Sequence, residues 1–158
     1  MVDPIRIGQG FDVHALVPGR RLLLGGVSIE HEQGLLGYSD ADVLLHAITD
    51  ALLGAIAGPD IGSLFPPSDP QWKNADSAVF LREALQRVKS AGYELVNLDS
   101  TLILSAPRIG PHADTIRKHV AELCGIPADC VGIKAKTPEG MGTDNAAIAH
   151  VAALLRRR

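Results

Sequence analysis

Two short segments carry their polar side chains on single faces of otherwise apolar elements, and a fold that satisfies both must bring a strand against a helix. Asp12-Val13-His14 ends a run, residues 5–11, that reads as a β-strand. Residues two apart in a strand point to the same face, so the Asp12 carboxylate and the His14 imidazole project side by side. Ser39-Asp40-Ala41-Asp42-Val43-Leu44-Leu45-His46 opens a helix that Ser39 or Asp40 can cap, with Leu44, Leu45, Ile48, Leu52 and Ile56 at helical spacing. Positions four apart are rotated by about 40° around the helix axis, so Asp42, His46 and Asp50 form a polar stripe. One carboxylate oxygen and two imidazole nitrogens on two packed elements make the three-ligand set of a catalytic zinc, whose fourth position stays open. Spacing alone leaves another reading open, in which Asp-x-His merely ends a strand and the stripe is a solvated helix face.

The remaining pattern predicts an α+β fold. Residues 21–27 read as a second strand, and residues 59–75, with four prolines, as a loop long enough to imply a job. A helix over 76–91 is stopped by Gly92, and a long strand follows over 93–105. A third helix spans 111–123, a fourth strand 130–136, and a last helix is expected over 146–157, whose terminal Arg156-Arg157-Arg158 would complement the negative helix end. With 158 residues and no linker or repeat, the chain is expected to form a single domain, a mixed β-sheet with helices packed on one side.

Charge and apolar content narrow the partners. A net charge of −3 without a basic cluster beyond the C-terminal arginines gives no footprint for nucleic acid. The most apolar stretch, residues 47–58, is too short for a membrane span and is broken by Asp50. Cys124 and Cys130 match no common zinc or redox spacing and are expected to be buried free thiols. A cytoplasmic location is expected, or the plastid stroma for a plant-type source with its transit peptide removed.

The motifs Arg6-Ile7-Gly8-Gln9-Gly10-Phe11-Asp12-Val13-His14 and Gly37-Tyr38-Ser39-Asp40-Ala41-Asp42-Val43-Leu44-Leu45-His46, then Asp60-Ile61-Gly62-Ser63-Leu64-Phe65-Pro66, Ala75-Asp76-Ser77, Asn97-Leu98-Asp99, Ala106-Pro107-Arg108 and Lys134-Ala135-Lys136-Thr137, occur in that order along the chain. Together they closely resemble the 2-C-methyl-D-erythritol 2,4-cyclodiphosphate synthase family of non-mevalonate isoprenoid biosynthesis. The resemblance implies a CMP-releasing phosphorus-oxygen lyase in which the 2-phosphate of a cytidine diphosphate-linked methylerythritol attacks the β-phosphorus. It implies zinc, or another divalent transition metal, at Asp12, His14 and His46, and magnesium or manganese bridging the substrate diphosphate from Glu139. Substrate contacts are implied for Ser39, Asp60, Gly62, Phe65, Ser68 and Asp69 around the methylerythritol. Leu104, Ala106, Pro107, Arg108 and Gly110 would wrap cytosine, and Lys136 and Thr137 would face the phosphates. Asp50 is expected to orient a ligand imidazole through its other ring nitrogen. A homotrimer with active sites at subunit interfaces is implied too.

The chain departs from the family pattern where phosphate charge is handled. Tyr38 stands in place of a His thought to assist at the transferred phosphate, and Pro67 in place of a loop Asp. Residues 140–145 replace a longer stretch that carries an Arg. Tyr38 and Thr137 are therefore the catalytic candidates. Two competing readings remain: a metal-dependent phosphohydrolase on the same scaffold, and a non-catalytic trimer that binds cytidine nucleotides or isoprenoid diphosphates.

Overall fold

Strand β1, Ile5–Pro18, alternates between two environments from Ile5 to Leu16. Its even-numbered residues face helix α1, Val43–Ala55, while Ile7, Phe11 and Val13 on the other side are 73%, 50% and 48% exposed. The strand runs well past the predicted residue 11, so Asp12 and His14 sit in mid-strand, each in register with a residue of the neighbouring strand, Ala149 and Ala147. The structure, a computed structural model, describes residues 4–158.

Helix α1 lies unusually close to this strand because two glycines leave it room. A Cβ at Gly8 would fall 1.7 Å from the Ala51 carbonyl oxygen, and one at Gly10 would fall 1.7 Å from that of Ala47. Gly8, Gly10, Asp12 and His14 share one face of the strand. The close approach at the glycines therefore carries His46, the neighbour of Ala47, over Asp12 and His14.

The predicted strand over 21–27 is instead the first half of a hairpin. Strands β2, Leu22–Leu24, and β3, Val27–Ile29, pair across Gly25-Gly26, both at positive φ (63° and 78°) as a two-residue type I′ turn needs. The N-cap of α1 is Asp42, not Ser39 or Asp40. Its fully buried carboxylate accepts the Leu45 N–H at 3.0 Å and the Gly25 and Gly26 N–H groups at 2.9 and 2.6 Å. One side chain thus caps the helix and anchors the hairpin tip. Strand β4, Gln33–Leu35, pairs with the end of β1.

The predicted loop over 59–75 contains two short turns of helix, α2 at Ile61–Leu64 and a 3₁₀ turn at Pro70–Trp72, capped by Asp60 and Asp69. Helix α3, Ser77–Ser90, follows with Asp76 as its cap, then strand β5, Tyr93–Ile103, helix α4, Ala113–Cys124, and strand β6, Val131–Lys136.

The expected last helix is wrong: Ala146–Arg157 is strand β7, at the centre of a five-stranded sheet ordered β4-β1-β7-β5-β6. Ala147, Ala149, Val151, Ala153 and Leu155 are buried in strict alternation, a period of two. The alanines suggested helix because alanine favours it intrinsically, but flanking strands on both sides override a preference worth tenths of a kcal/mol per residue. The terminal arginines consequently complement no helix end; Arg156 Nε pairs with Glu94 of β5 at 2.6 Å. The sheet is mixed, with β5 and β6 parallel and the other pairs antiparallel. Among the described residues, Cys124 is buried, with its thiol pushed up to about 12 by burial, whereas Cys130 is only half-buried. No described helix is long and apolar enough to cross a membrane.

Candidate active site

Asp12 Oδ2, His14 Nε2 and His46 Nδ1 converge on one point. The carboxylate oxygen lies 2.9 Å from His14 and 3.1 Å from His46, and the two imidazole nitrogens are 3.2 Å apart. Tetrahedral donors at zinc bond lengths of 2.0–2.1 Å are spaced by roughly 3.3 Å, so the triangle is close to that of a loaded site. The outward nitrogens support the same reading. His14 Nδ1 is 2.8 Å from the Leu36 carbonyl, which can only accept, so Nδ1 carries the hydrogen and Nε2 turns a lone pair inward. His46 Nε2 meets Ser77 Oγ at 2.8 Å and Ser39 Oγ at 3.2 Å. Acceptors that face one another call for a shared cation, and an O/N/N set with an open side suits zinc or a similar divalent transition metal.

Electrostatics agree. Burial pushes the Asp12 carboxyl upward, but hydrogen bonds and charge from His14 and His46 outweigh it and hold the group at about 2. Burial pulls His14 down, and the neighbouring Asp12 more than reverses this, leaving it raised.

Asp50 does not orient an imidazole. Its Oδ1 accepts the Ile61 N–H at 2.8 Å, tying α1 to the start of α2, and burial raises its carboxyl. The roles expected of Asp50 fall to the Leu36 carbonyl and to Ser77, which the sequence reading missed because Ser77 enters from the far end of the 59–75 loop.

Beside the cluster opens a cavity of about 160 Å³, lined by His14, His46, Tyr38, Ser39, Gly62 and Phe65 together with Trp72 and Phe80. The aromatic wall was not foreseen. Phe65 stacks at 4.4 Å from Phe80 and meets Trp72 edge-on at 5.1 Å, and Phe80 in turn lies 5.9 Å from the His46 ring. Two aromatic contacts, Phe65 with Phe80 and Trp72 with Phe80 at 5.7 Å, hold the proline-rich segment against α3, next to the cluster. Asp60 and Asp69 are turned toward the backbone they cap, accepting from Ser63 N at 2.8 Å and Gln71 N at 3.1 Å, and Ser68 is exposed between them.

A second cavity of about 380 Å³ gathers Leu104, Pro107, Arg108, Gly110, Lys136 and Thr137. Ala106 joins Pro107 through a cis peptide beside it. Glu139 is exposed and accepts a hydrogen bond from the Thr137 hydroxyl. Its carboxylate is not part of the Asp12, His14, His46 group, the cluster that could hold one ion among the described residues. The ladder runs from His14 to Ala147, and Ile148 is matched to Ile103 and Ile103 to Lys136. His14 and Lys136, one from each cavity, therefore lie at the same end of the sheet, three strand spacings or roughly 14 Å apart.

Comparison with known proteins covers nearly the whole chain. Residues 5–156 match the YgbB family. A 2-C-methyl-D-erythritol 2,4-cyclodiphosphate synthase of Koribacter versatilis (strain Ellin345) is 56% identical over 98% of the chain and 99% of its own length. A chloroplastic protein of the same name from Oryza sativa subsp. japonica is 50% identical over 98% of the chain and 71% of its own length. A solved structure of 2C-methyl-D-erythritol-2,4-cyclodiphosphate synthase in a CDP-bound form superposes with a TM-score of 0.90 at 41% identity, covering 95% of this chain and 99% of that one.

Proposed function

The chain belongs to the YgbB family, and from that membership we propose that it converts 4-diphosphocytidyl-2-C-methyl-D-erythritol 2-phosphate into 2-C-methyl-D-erythritol 2,4-cyclodiphosphate and CMP. The observation that carries the reading is the O/N/N triangle of Asp12, His14 and His46 opening into an aromatic-walled cavity. In the reaction an oxygen of the 2-phosphate bonds to the β-phosphorus, and the bond from that phosphorus to the α,β-bridging oxygen breaks. CMP leaves with the bridging oxygen and its electron pair. No protein nucleophile is required, because phosphoryl transfer asks chiefly for positioning and charge neutralisation. Well-oriented intramolecular reactions reach effective molarities of about 10⁵–10⁸ M, so holding the two phosphates in line is a large part of the task.

Each chain group has a role in that positioning. Zinc held by Asp12, His14 and His46 would act as a Lewis acid on a phosphate oxygen, and magnesium or manganese at Glu139 would neutralise diphosphate charge. A single exposed carboxylate suits the second ion, which is usually held by one or two carboxylates plus substrate phosphates. Tyr38 donates a neutral hydrogen bond to a phosphate, the Lys136 ammonium adds positive charge, and the Thr137 hydroxyl exchanges its bond to Glu139 for one to phosphate. Phe65, Trp72 and Phe80 exclude water from the methylerythritol, which favours cyclisation over hydrolysis. The 104–110 segment takes cytosine.

We infer a homotrimer in which one subunit's second cavity faces the next subunit's Asp12 cluster. Two observations support it: the two cavities have no lining residue in common, and the outer face of β1 exposes Ile7, Phe11 and Val13, with Gln9 between the first two. Phosphorus NMR of the purified protein with substrate tests the reaction. A cyclic diphosphate plus CMP supports it, an open phosphate ester would make the protein a phosphohydrolase, and binding without turnover would make it a nucleotide-binding trimer. Mixing inactive His46→Ala and Glu139→Gln chains should restore turnover, and failure despite proven subunit exchange would place the whole site in one chain.

A further inference from the structure

Ser77 is a fully buried serine at the start of α3, yet it is not the helix cap. Asp76 holds that place, accepting the Ala78 N–H at 2.8 Å. The Ser77 hydroxyl instead donates to Asp40 Oδ1 and lies 2.8 Å from His46 Nε2. Asp40 is itself held as an acceptor, taking the Ser77 N–H at 3.0 Å and the Asp42 N–H at 3.1 Å. Two backbone bonds, Asp40 N to Ala75 O at 3.0 Å and Asn74 N to Tyr38 O at 2.8 Å, stitch the segment before α1 to the segment before α3. The arrangement is thus built from both sides.

Donor counting decides what this chain of groups does. A hydroxyl has one hydrogen. With that hydrogen committed to Asp40, Ser77 Oγ can only accept from His46 at 2.8 Å; Ser39 Oγ, able to donate or accept, stands farther off at 3.2 Å and is the weaker partner, so Nε2 carries the ring proton and Nδ1 presents its lone pair. The opposite tautomer has a strong competitor in its favour, because Asp12 Oδ2 lies 3.1 Å from Nδ1 and would accept an Nδ1–H. That form would tie Nδ1 up in an internal hydrogen bond and take the His46 lone pair out of the three-ligand set.

We propose that Asp40 and Ser77 are positioning residues for the metal centre: the Asp40–Ser77–His46 chain selects the His46 tautomer and ring angle that leave Nδ1 free to bind a divalent cation. The inference rests on the metal-centre reading above and adds residues to it that touch neither metal nor substrate. It also gives the fully buried Ser77 hydroxyl a role that capping of α3 by Asp76 does not.

Zinc affinity, read by competition with a chromophoric chelator, and the melting temperature of the metal-free protein test it in Ser77→Ala, Ser77→Thr and His46→Ala. Loss of such a supporting hydrogen bond typically costs 10–100-fold in metal affinity, so Ser77→Ala should weaken zinc by about that factor with the metal-free melting temperature unchanged. Ser77→Thr, which keeps the hydroxyl, should bind within about threefold of wild type. Nitrogen-15 spectra of the His46 ring give a second reading that needs no variant. Nε2–H in the metal-free wild-type protein supports the proposal, and Nδ1–H overturns it. Zinc binding by Ser77→Ala within twofold of wild type, alongside loss of zinc in His46→Ala, would overturn the proposal and leave the metal centre standing. Retention of zinc by His46→Ala would remove the metal-centre reading, and this inference with it.

Discussion

Replacing Gly10 with alanine should separate the metal centre from its scaffold. The new Cβ would stand 1.7 Å from the Ala47 carbonyl oxygen, 2.7 Å from its carbon and 2.9 Å from Ala51 N, all backbone atoms that no side-chain rotation can clear. Ordinary contact begins at 3.4 Å, so α1 must retreat by about 1.7 Å at this point. His46 precedes Ala47 and would travel with it, opening the 3.1 Å separation between its Nδ1 and Asp12 Oδ2 toward about 4.8 Å. Metal–ligand distances tolerate about 0.2 Å, so such a shift dismantles the three-ligand set. The overpacking itself should cost about 1–3 kcal/mol. Gly54→Ala provides the control on the same helix: its nearest neighbour, the Gln9 carbonyl oxygen, would lie at 3.7 Å, and alanine in a helix gains up to about 1 kcal/mol over glycine. The assay is calorimetric melting of the metal-free proteins together with zinc titration. Gly10→Ala is expected to melt lower and lose zinc, while Gly54→Ala melts at or above wild type and keeps it. A Gly10→Ala protein with wild-type zinc affinity would refute the claim that close helix approach sets the site.

Metal-free stability should depend on pH through the same cluster. The Asp12 carboxyl is lowered from 3.8 to about 2, so its contribution is fully present above 3.8 and is lost as pH falls toward 2, about 2 kcal/mol in all. His14, raised above 6.5, acts oppositely: its contribution is present below 6.5 and disappears as pH climbs through its folded value. Melting temperatures of the metal-free protein should therefore fall on both sides of mildly acidic pH, and a profile as flat as that of Asp12→Asn would contradict the ion-pair account. Tyr38→Phe should lower kcat far more than it raises KM, by at most about 10²–10³, because a phenol hydroxyl can donate to phosphate without adding charge. Turnover within twofold of wild type would leave Tyr38 a packing residue on the cavity wall.

Much of the site was legible because its donors obey local periodicities. Asp12 and His14 share a strand face at a spacing of two, and His46 lies on a helix whose apolar positions announce its orientation. Ser77, Trp72 and Phe80 were not legible as site residues, since Trp72 lies within the 59–75 loop and Ser77 and Phe80 beyond it, and no spacing rule links them to His46. The fold was misread where intrinsic preference and environment disagree. Ala146–Arg157 is rich in a helix-favouring residue, but it is flanked by β1 and β5 over nearly its full length, and only the alternation of Ala147, Ala149, Val151, Ala153 and Leu155 reveals it. Asp50 was misassigned for a related reason: helical phase places it below His46 on the stripe, yet the Ile61 N–H at 2.8 Å claims its carboxylate first.

The two-sided use of β1 makes the chain intolerant of length changes there. Gly8, Gly10, Asp12 and His14 occupy one face and Ile7, Phe11 and Val13 the other, held in an unbroken ladder with β7 from Ile5↔Arg156 to Ala15↔Ala146. Inserting or deleting one residue between Phe11 and Asp12 would put the two halves of the strand out of phase, so that either isoleucine and phenylalanine turn into α1 or the metal ligands turn out of the protein. Substitutions on the outward side, by contrast, can alter how the sheet associates without moving a ligand atom. Variation in this strand is thus confined to exchanges at constant length, with surface chemistry and catalysis free to drift separately on alternate residues.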